Sequence, residues 1–234
     1  MKPDLATAIQ FTQWLLSAGI ILQGIESLVA RRVFGSAGVF VLRIAICLWL
    51  LSPASRLSSW TSASAHIALL LTSMWLVVRV RGPLCGGSDA MWFQVQVGLL
   101  LASLEFLHPN LPKIGLGWIA AQSVLSYLLA GVAKFRNPRW RNGSALHSLL
   151  RSEGPYVLWE PVRTLANHPS LCAALAWGLM LFEVGFALVL VVPSNTTAVM
   201  LGIGLAFHLT NAAVLGLNRF VWAWAATYPA LLYF

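Results

Sequence analysis

Residues 170–192 read SLCAALAWGLMLFEVGFALVLVV, an unbroken apolar run with a single carboxylate, Glu183, near its middle. About 20 such residues cross the hydrocarbon of a bilayer as a helix. A carboxylate at that depth must face protein or water, because a charge at the bilayer centre costs at least about 3 kcal/mol. The same ruler, moved outward, finds further stretches at roughly 7–29, 34–52, 63–80, 90–107, 114–135, 196–218 and 220–234. The expected fold is all-α, a single polytopic transmembrane domain over 1–234 with about eight spans. The apolar runs are continuous and show no period-2 alternation, which argues against the other membrane-spanning solution, a closed barrel. Counts of six or seven stay open, because Gln10, Gln13, Gln23 and Glu26 could lay the first helix along the surface, and the last stretch is short.

Composition agrees. Hydrophobic residues make up 59% of the chain and charged residues 9%, against about 25% charged in an ordinary soluble domain, too few to cover a water-facing surface. The 11 Trp and 11 Phe suit membrane-interface belts and helix contacts in lipid. The net charge of +8 raises the question of nucleic acid, but the basic residues sit in short segments between apolar runs, so anionic lipid headgroups are the expected partner and nucleic acid is not. Cys47, Cys85 and Cys172 are scattered, match no metal-binding spacing and suggest no disulfide framework. No small-residue cleavage site follows a short apolar core, so no removable signal peptide is expected.

With eight spans, Lys2, Arg56 and Lys113 fall on one side. Arg31, Arg32, Arg79, Arg81, Lys134, Arg136, Arg139, Arg141, Arg151, Arg163 and Arg219 fall on the other, which is then cytoplasmic. The long connection 136–169 holds Trp140, Leu146, Leu149, Leu150, Tyr156, Val157, Leu158 and Trp159 among its charges. It is expected to lie at the interface as short amphipathic helices broken by Gly143, Gly154, Pro155 and Pro161.

Of the ionisable residues within or at the ends of spans, five stand out: Arg43, Glu105, Lys134, Glu183 and His208. A structural pairing of Glu183 with Arg43 is one expectation. His208 shares a helical face with Asn211 at i+3 and with Gly204 at i−4, which lets another helix or a ligand come close. Lys134 ends its span, where snorkelling to the interface explains it as well as chemistry does. Glu26 and Glu105 lie near span ends and can reach headgroup water, and Asp89 suits a capping role at the start of the fourth span. His66, His108, His147 and His168 fall in or beside loops, with no spacing that places two metal ligands on one helical face. No GxSxG, phosphate-binding loop or dinucleotide fingerprint is present. Gly178, Gly185, Gly202 and Gly204 could serve internal packing or a dimer face.

The segment Tyr127 to Gly143, YLLAGVAKFRNPRWRNG, resembles the stretch Y-x-x-A-G-x-x-K-x, a short charged run, then W-x-x-G, of the vitamin K-dependent gamma-carboxylase family and the related bacterial HTTM domains. The likeness continues through Glu183 in the next apolar helix and through Phe207 and His208, followed by Asn211, in the one after. It covers residues 120–234. It implies that Lys134 is a base acting on a quinol, with His208 lining the same cavity. A lysine at the edge of a dry bundle is physically suited to that role. Tyr127, Ala130 and Lys134 stack on one helical face with Gly131 beside them, a face that could meet a flat ligand.

Where the carboxylases carry an N-N-H-like motif in an earlier span, this chain reads GGSDAMWF, with Asp89 and no histidine. A large propeptide-gripping domain is also missing from the sequence, so carboxylation of protein glutamates is not expected.

The resemblance therefore implies an HTTM-type protein of the bacterial inner membrane. It would bind a quinol-like or other lipophilic substrate between its last four spans and perform base-initiated redox or peptide-modifying chemistry. Lys134 and His208 are the candidate catalytic residues, and Tyr127, Glu183, Asn211 and Trp140 the candidate substrate contacts. A quinone or quinol is the implied cofactor, and no metal is expected. Two alternatives stay open: a non-catalytic maturation or immunity factor for a small secreted peptide, similar to the sporulation-delaying toxin maturation component and docking on 136–169, and a DoxX-like quinone-linked subunit with a redox partner. A transporter is less favoured, since no pair of interrupted short helices marks a midplane site.

Overall fold

A computed structural model describes residues 2–29, 37–56, 59–79, 87–151 and 160–234. Arg31, Arg32, Arg81, Cys85 and the 152–159 part of the long connection, with Gly154, Pro155 and Tyr156 to Trp159, lie outside the described residues. The fold is all-α. Its helices are α1 (Leu5–Val29), α2 (Ala37–Leu51), α3 (Ser59–Arg79), α4 (Gly87–Ser103), α5 (Leu111–Arg136), α6 (Pro138–Arg141), α7 (Ser144–Arg151), α8 (Glu160–Leu165), α9 (Pro169–Gly185), α10 (Ser194–Leu215), α11 (Asn218–Ala225) and α12 (Tyr228–Tyr233). Short 3-10 turns at Pro53–Arg56 and Phe186–Leu190 complete the described elements.

Among the described residues, five helical stretches are long and apolar enough to cross a membrane: Leu5–Val29, Ser59–Arg79, Leu111–Arg136, Pro169–Leu190 and Ser194–Leu215. At 15 and 17 residues, α2 and α4 are shorter than the roughly 20 a bilayer asks of a straight helix. The stretch 220–234 is two helices, because the chain turns at Ala226 and Thr227 and restarts with Pro229, which has no N–H to continue a helical ladder. Thr227 Oγ1 donates to the Trp224 carbonyl at 2.8 Å and satisfies part of that break. Large apolar side chains point outward on the candidate spans, Leu71 61%, Leu181 59% and Val199 61% exposed among them. That pattern suits a solvent of lipid tails.

The chain forms two compact units, Met1–Gln122 with Trp222–Phe234, and Ser123–Val221. In the first, α1 packs on α2, α4 and α12, and α3 packs on α2 and α4. The glutamines that left the first span open are turned inward. Gln13 Nε2 donates to the Leu50 carbonyl at 2.8 Å, and Gln23, 5% exposed, donates to Asp89 Oδ1 at 3.4 Å. Small buried residues Ala8, Thr12, Ser17 and Gly19 on α1 let its neighbours approach. The tightest crossing is α4 on α5: a Cβ on Gly98 would strike Ile119 and the Gly115 carbonyl, and one on Gly115 would strike the Gly98 carbonyl.

His66 is no loop residue. α3 begins at Ser59, earlier than hydropathy alone suggests, because polar Thr61, Ser62 and Ser64 extend the helix without lipid-facing apolar character. His66 is therefore buried on α3, its Nε2 3.4 Å from Gln13 Oε1. His147 likewise lies within α7.

In the second unit, α6 and α7 lie against α9, α7 also touches α8, and α10 packs on the 3-10 turn that prolongs α9. The connection is helical where described, and Pro161 stands in the first turn of α8, where a missing N–H costs nothing. Gly143 makes the corner before α7 with φ +78°, and a Cβ there would lie 2.5 Å from Ala173 N. The position thus asks for glycine twice, for a left-handed backbone and for contact with α9. Gly178, Gly185 and Gly202 face open space, whereas Gly204 is buried.

Candidate functional site

The second unit gathers the ionisable residues of its spans into one network. Tyr127 and Lys134 are seven residues apart on α5, two helical turns, so both face the same way. Between them Gly131 lets α9 come close. A Cβ there would lie 2.8 Å from Val184 Cγ2 and 3.0 Å from Glu183 Cβ, so the space beside it is filled by α9. This close approach carries the Glu183 carboxylate to Lys134, whose Nζ is 2.7 Å from both carboxylate oxygens.

The flat partner of Tyr127 is accordingly a side chain. Phe186 stacks on its ring at 3.9 Å between centroids, and Phe182 meets it edge-on at 6.0 Å. The Tyr127 hydroxyl shares a hydrogen bond of 2.7 Å with His208 Nε2 from α10. Phe207 and Phe220 flank the imidazole. Tyr127, Glu183 and His208 are all buried, at 3%, 3% and 2% exposure.

Lys134 alone keeps an opening, its side chain 20% exposed against 4% for Glu183. Trp140 covers part of that opening, its ring centroid 5.4 Å from Nζ in a cation–π contact. The motif that links Trp140 to Gly143 thereby has a local cause. Asn137 caps α6 by accepting the Arg139 N–H at 3.0 Å, α6 sets the indole over the ammonium, and Gly143 turns the chain back onto α9. Trp177 on α9 secures the arrangement by donating Nε1–H to the Arg141 carbonyl at 3.0 Å.

Asn211 stands apart from this network. It is half-buried and its side chain makes no hydrogen bond among the described residues, while its carbonyl receives the Leu217 N–H at the end of α10. Nor is Arg43 the partner of Glu183: its guanidinium is used within the first unit, donating through Nη1 to the Leu69 carbonyl, Thr72 Oγ1 and Ser73 Oγ at 3.3, 3.0 and 2.8 Å. Three polar acceptors on one turn of α3 serve this mid-span cation. Glu105 is exposed in the turn after α4, and Asp89 lies in the first turn of α4.

Phe182 and Phe186 went unnoticed in the sequence, although their i, i+4 spacing around Glu183 marks an aromatic strip beside a buried carboxylate.

A helical bundle with apolar side chains turned outward and an ion pair and a phenol–imidazole pair turned inward defines an integral membrane protein. The chain belongs to the HTTM domain family, whose model matches residues 101–234, more than half of the chain and all of the site. No curated protein and no solved structure matches it.

Proposed function

We propose that this HTTM protein binds a quinol-like or other lipophilic molecule beside Lys134 and takes a proton from it. The observation that carries the reading is the Lys134–Glu183 pair at 2.7 Å, half-sheltered by Trp140 and two turns from the Tyr127–His208 pair. A lysine and a carboxylate in hydrogen-bond contact can pass a proton between them. Proton movement from Nζ to Glu183 leaves Lys134 an amine. That amine is the base, and the ring hydroxyl of a bound molecule is its proton source. A bound quinol would supply that ionisable hydroxyl, and its two electrons would pass to an external two-electron acceptor such as dioxygen. Trp140 offers it an aromatic face, and Tyr127 with His208 a second proton-exchanging pair. Chemistry of this kind makes Lys134 and His208 catalytic, Trp140 and Tyr127 contacts to the substrate, and Glu183 the acceptor for Lys134. The reading goes with six to eight spans, counting α2, α4 and the α11–α12 pair, with the arginine-rich ends on the cytoplasmic side of a bacterial inner membrane.

A second reading rests on exposed Arg136, Arg139, Arg141 and Arg151 around α6 and α7. They would dock a small secreted peptide at the interface, and the protein would act as a non-catalytic maturation or immunity factor. Lipids extracted from purified wild type and Lys134→Ala decide between the two. The enzymatic reading expects co-purified quinone in both and, with dioxygen as the electron acceptor, quinol oxidation in wild type only. Absence of quinone together with unchanged biological activity in Lys134→Ala would overturn it in favour of the peptide-docking reading.

A further inference from the structure

The first unit contains a cavity of about 430 Å³, within the size range of small-molecule sites, lined by Gln23, Arg43, Ser73, Asp89, Trp92 and the apolar side chains of α3 and α4. None of its residues falls in the stretch that matches the HTTM domain. Arg43 and Trp92 are 3% and 2% exposed. Among the described residues, Arg43 Nε, Trp92 Nε1 and Gln96 Nε2 are buried donors with no acceptor. They form a connected group. Arg43 donates to Ser73 Oγ at 2.8 Å, Ser73 donates to Gln96 Oε1 at 3.0 Å, and Trp92 lies one turn before Gln96 on α4.

Unmet buried donors cost about 1 to 3 kcal/mol each, and two of these three, Arg43 Nε and Trp92 Nε1, belong to residues in the cavity wall. An anionic oxygen group in the cavity would supply acceptors to Arg43 and Trp92 at once. Met74 and Val78, which also line the cavity, are 54% and 70% exposed on the lipid-facing side of α3, so a chain attached to that group can run out into the bilayer. Asp89, held by Gln23 at 3.4 Å, limits the charge that can enter, and a singly charged head is favoured over a doubly charged one. We propose that this cavity is a binding site for an acyl lipid with a singly charged oxyanion head, a phosphodiester or a carboxylate, held by Arg43 with Trp92. The site is independent of the chemistry assigned to Lys134.

Photo-crosslinking of the full-length protein in nanodiscs tests this, with diazirine-tailed phosphatidylglycerol, diazirine-tailed fatty acid and a neutral diazirine-tailed diglyceride as probes. Peptides containing Met74 to Val78 and Ala90 to Gln94 are read by mass spectrometry. One or both anionic probes should label them about tenfold more than the diglyceride, the worth of one hydrogen bond to a charged group. The stronger of the two identifies the head as phosphodiester or carboxylate. Arg43→Gln should bring labelling down to the neutral level. Ala90→Trp fills the cavity from an exposed position on α4 with Arg43 intact, and should abolish the preference even if Arg43→Gln does not fold. Equal labelling by the neutral probe, or preference retained in Ala90→Trp, would overturn the proposal.

Discussion

Replacing Glu183 by glutamine keeps the shape of the side chain and removes the charge opposite Lys134. At 2.7 Å and an effective dielectric near 20, the attraction lost is about 6 kcal/mol gross. Part of that is offset because a buried carboxylate no longer needs desolvating and the amide oxygen still accepts one charge-assisted bond. Breaking a buried pair from one side costs about 3 to 5 kcal/mol net, and Glu183→Gln belongs at the lower end, about 3, because Lys134 is 20% exposed and can turn toward the interface. Lys134→Met belongs at the upper end, about 5 kcal/mol, because Glu183 is 4% exposed and has nowhere to go. The double variant Lys134→Met, Glu183→Leu removes both charges, and should lie within about 1 kcal/mol of wild type or above it. Reversible unfolding of the purified protein by SDS titration in mixed micelles, followed by circular dichroism, measures all four proteins. Single variants that both stay within about 0.5 kcal/mol of wild type, or a double variant that loses the sum of the two, would refute the pairing as the organising contact of this unit.

Three further outcomes are expected. Gly143→Ala forces a side chain into a left-handed backbone against Ala173 and should cost about 2 to 4 kcal/mol in the same titration, more than Gly178→Ala, which meets open space. Tyr127→Phe keeps the stack on Phe186 but strips His208 of its 2.7 Å partner, so stability should fall by about 1 to 3 kcal/mol and quinol oxidation by more than tenfold, read by absorbance. Gly115→Val puts a branched side chain where the Gly98 carbonyl lies, and should lower the yield of folded monomer on size exclusion while Gly38→Val, in open space, leaves it unchanged.

Hydropathy was enough to reveal an all-α membrane fold, since a run such as 170–192 has one stable solution in lipid. It did not separate a helix from a helix that turns: 220–234 is apolar throughout, and its division depends on Pro229 and the Thr227 hydroxyl, which a hydropathy window averages away. Of the candidate site, Glu183 and His208 stood out as polar groups inside apolar runs, and Tyr127 and Lys134 through the motif that resembles the HTTM stretch. Their pairing did not. Arg43 was the partner expected for Glu183, and the close approach of α9 at Gly131, which brings the carboxylate to Lys134, is what overrides that expectation. Asn211 shares a helical face with His208 by spacing, yet its carbonyl serves the end of α10. Face periodicity says which side a residue is on and nothing about which neighbour arrives there.

The separation of 49 residues between Lys134 and Glu183 bears on how the protein is made. A ribosome delivering about 5 to 20 residues per second presents α5 roughly 2 to 10 seconds before the carboxylate of α9 emerges. Lys134, at the end of its helix, can wait at the interface with its ammonium in headgroup water. Glu183 sits inside the Pro169–Leu190 span, with the apolar turn Phe186–Leu190 still to follow, and has no such refuge. Entering lipid alone, it would oppose insertion of α9 by about 3 kcal/mol. The order of the two charges along the chain means that the partner able to wait is always synthesised first, so α9 can enter the bilayer beside a counter-charge already in position.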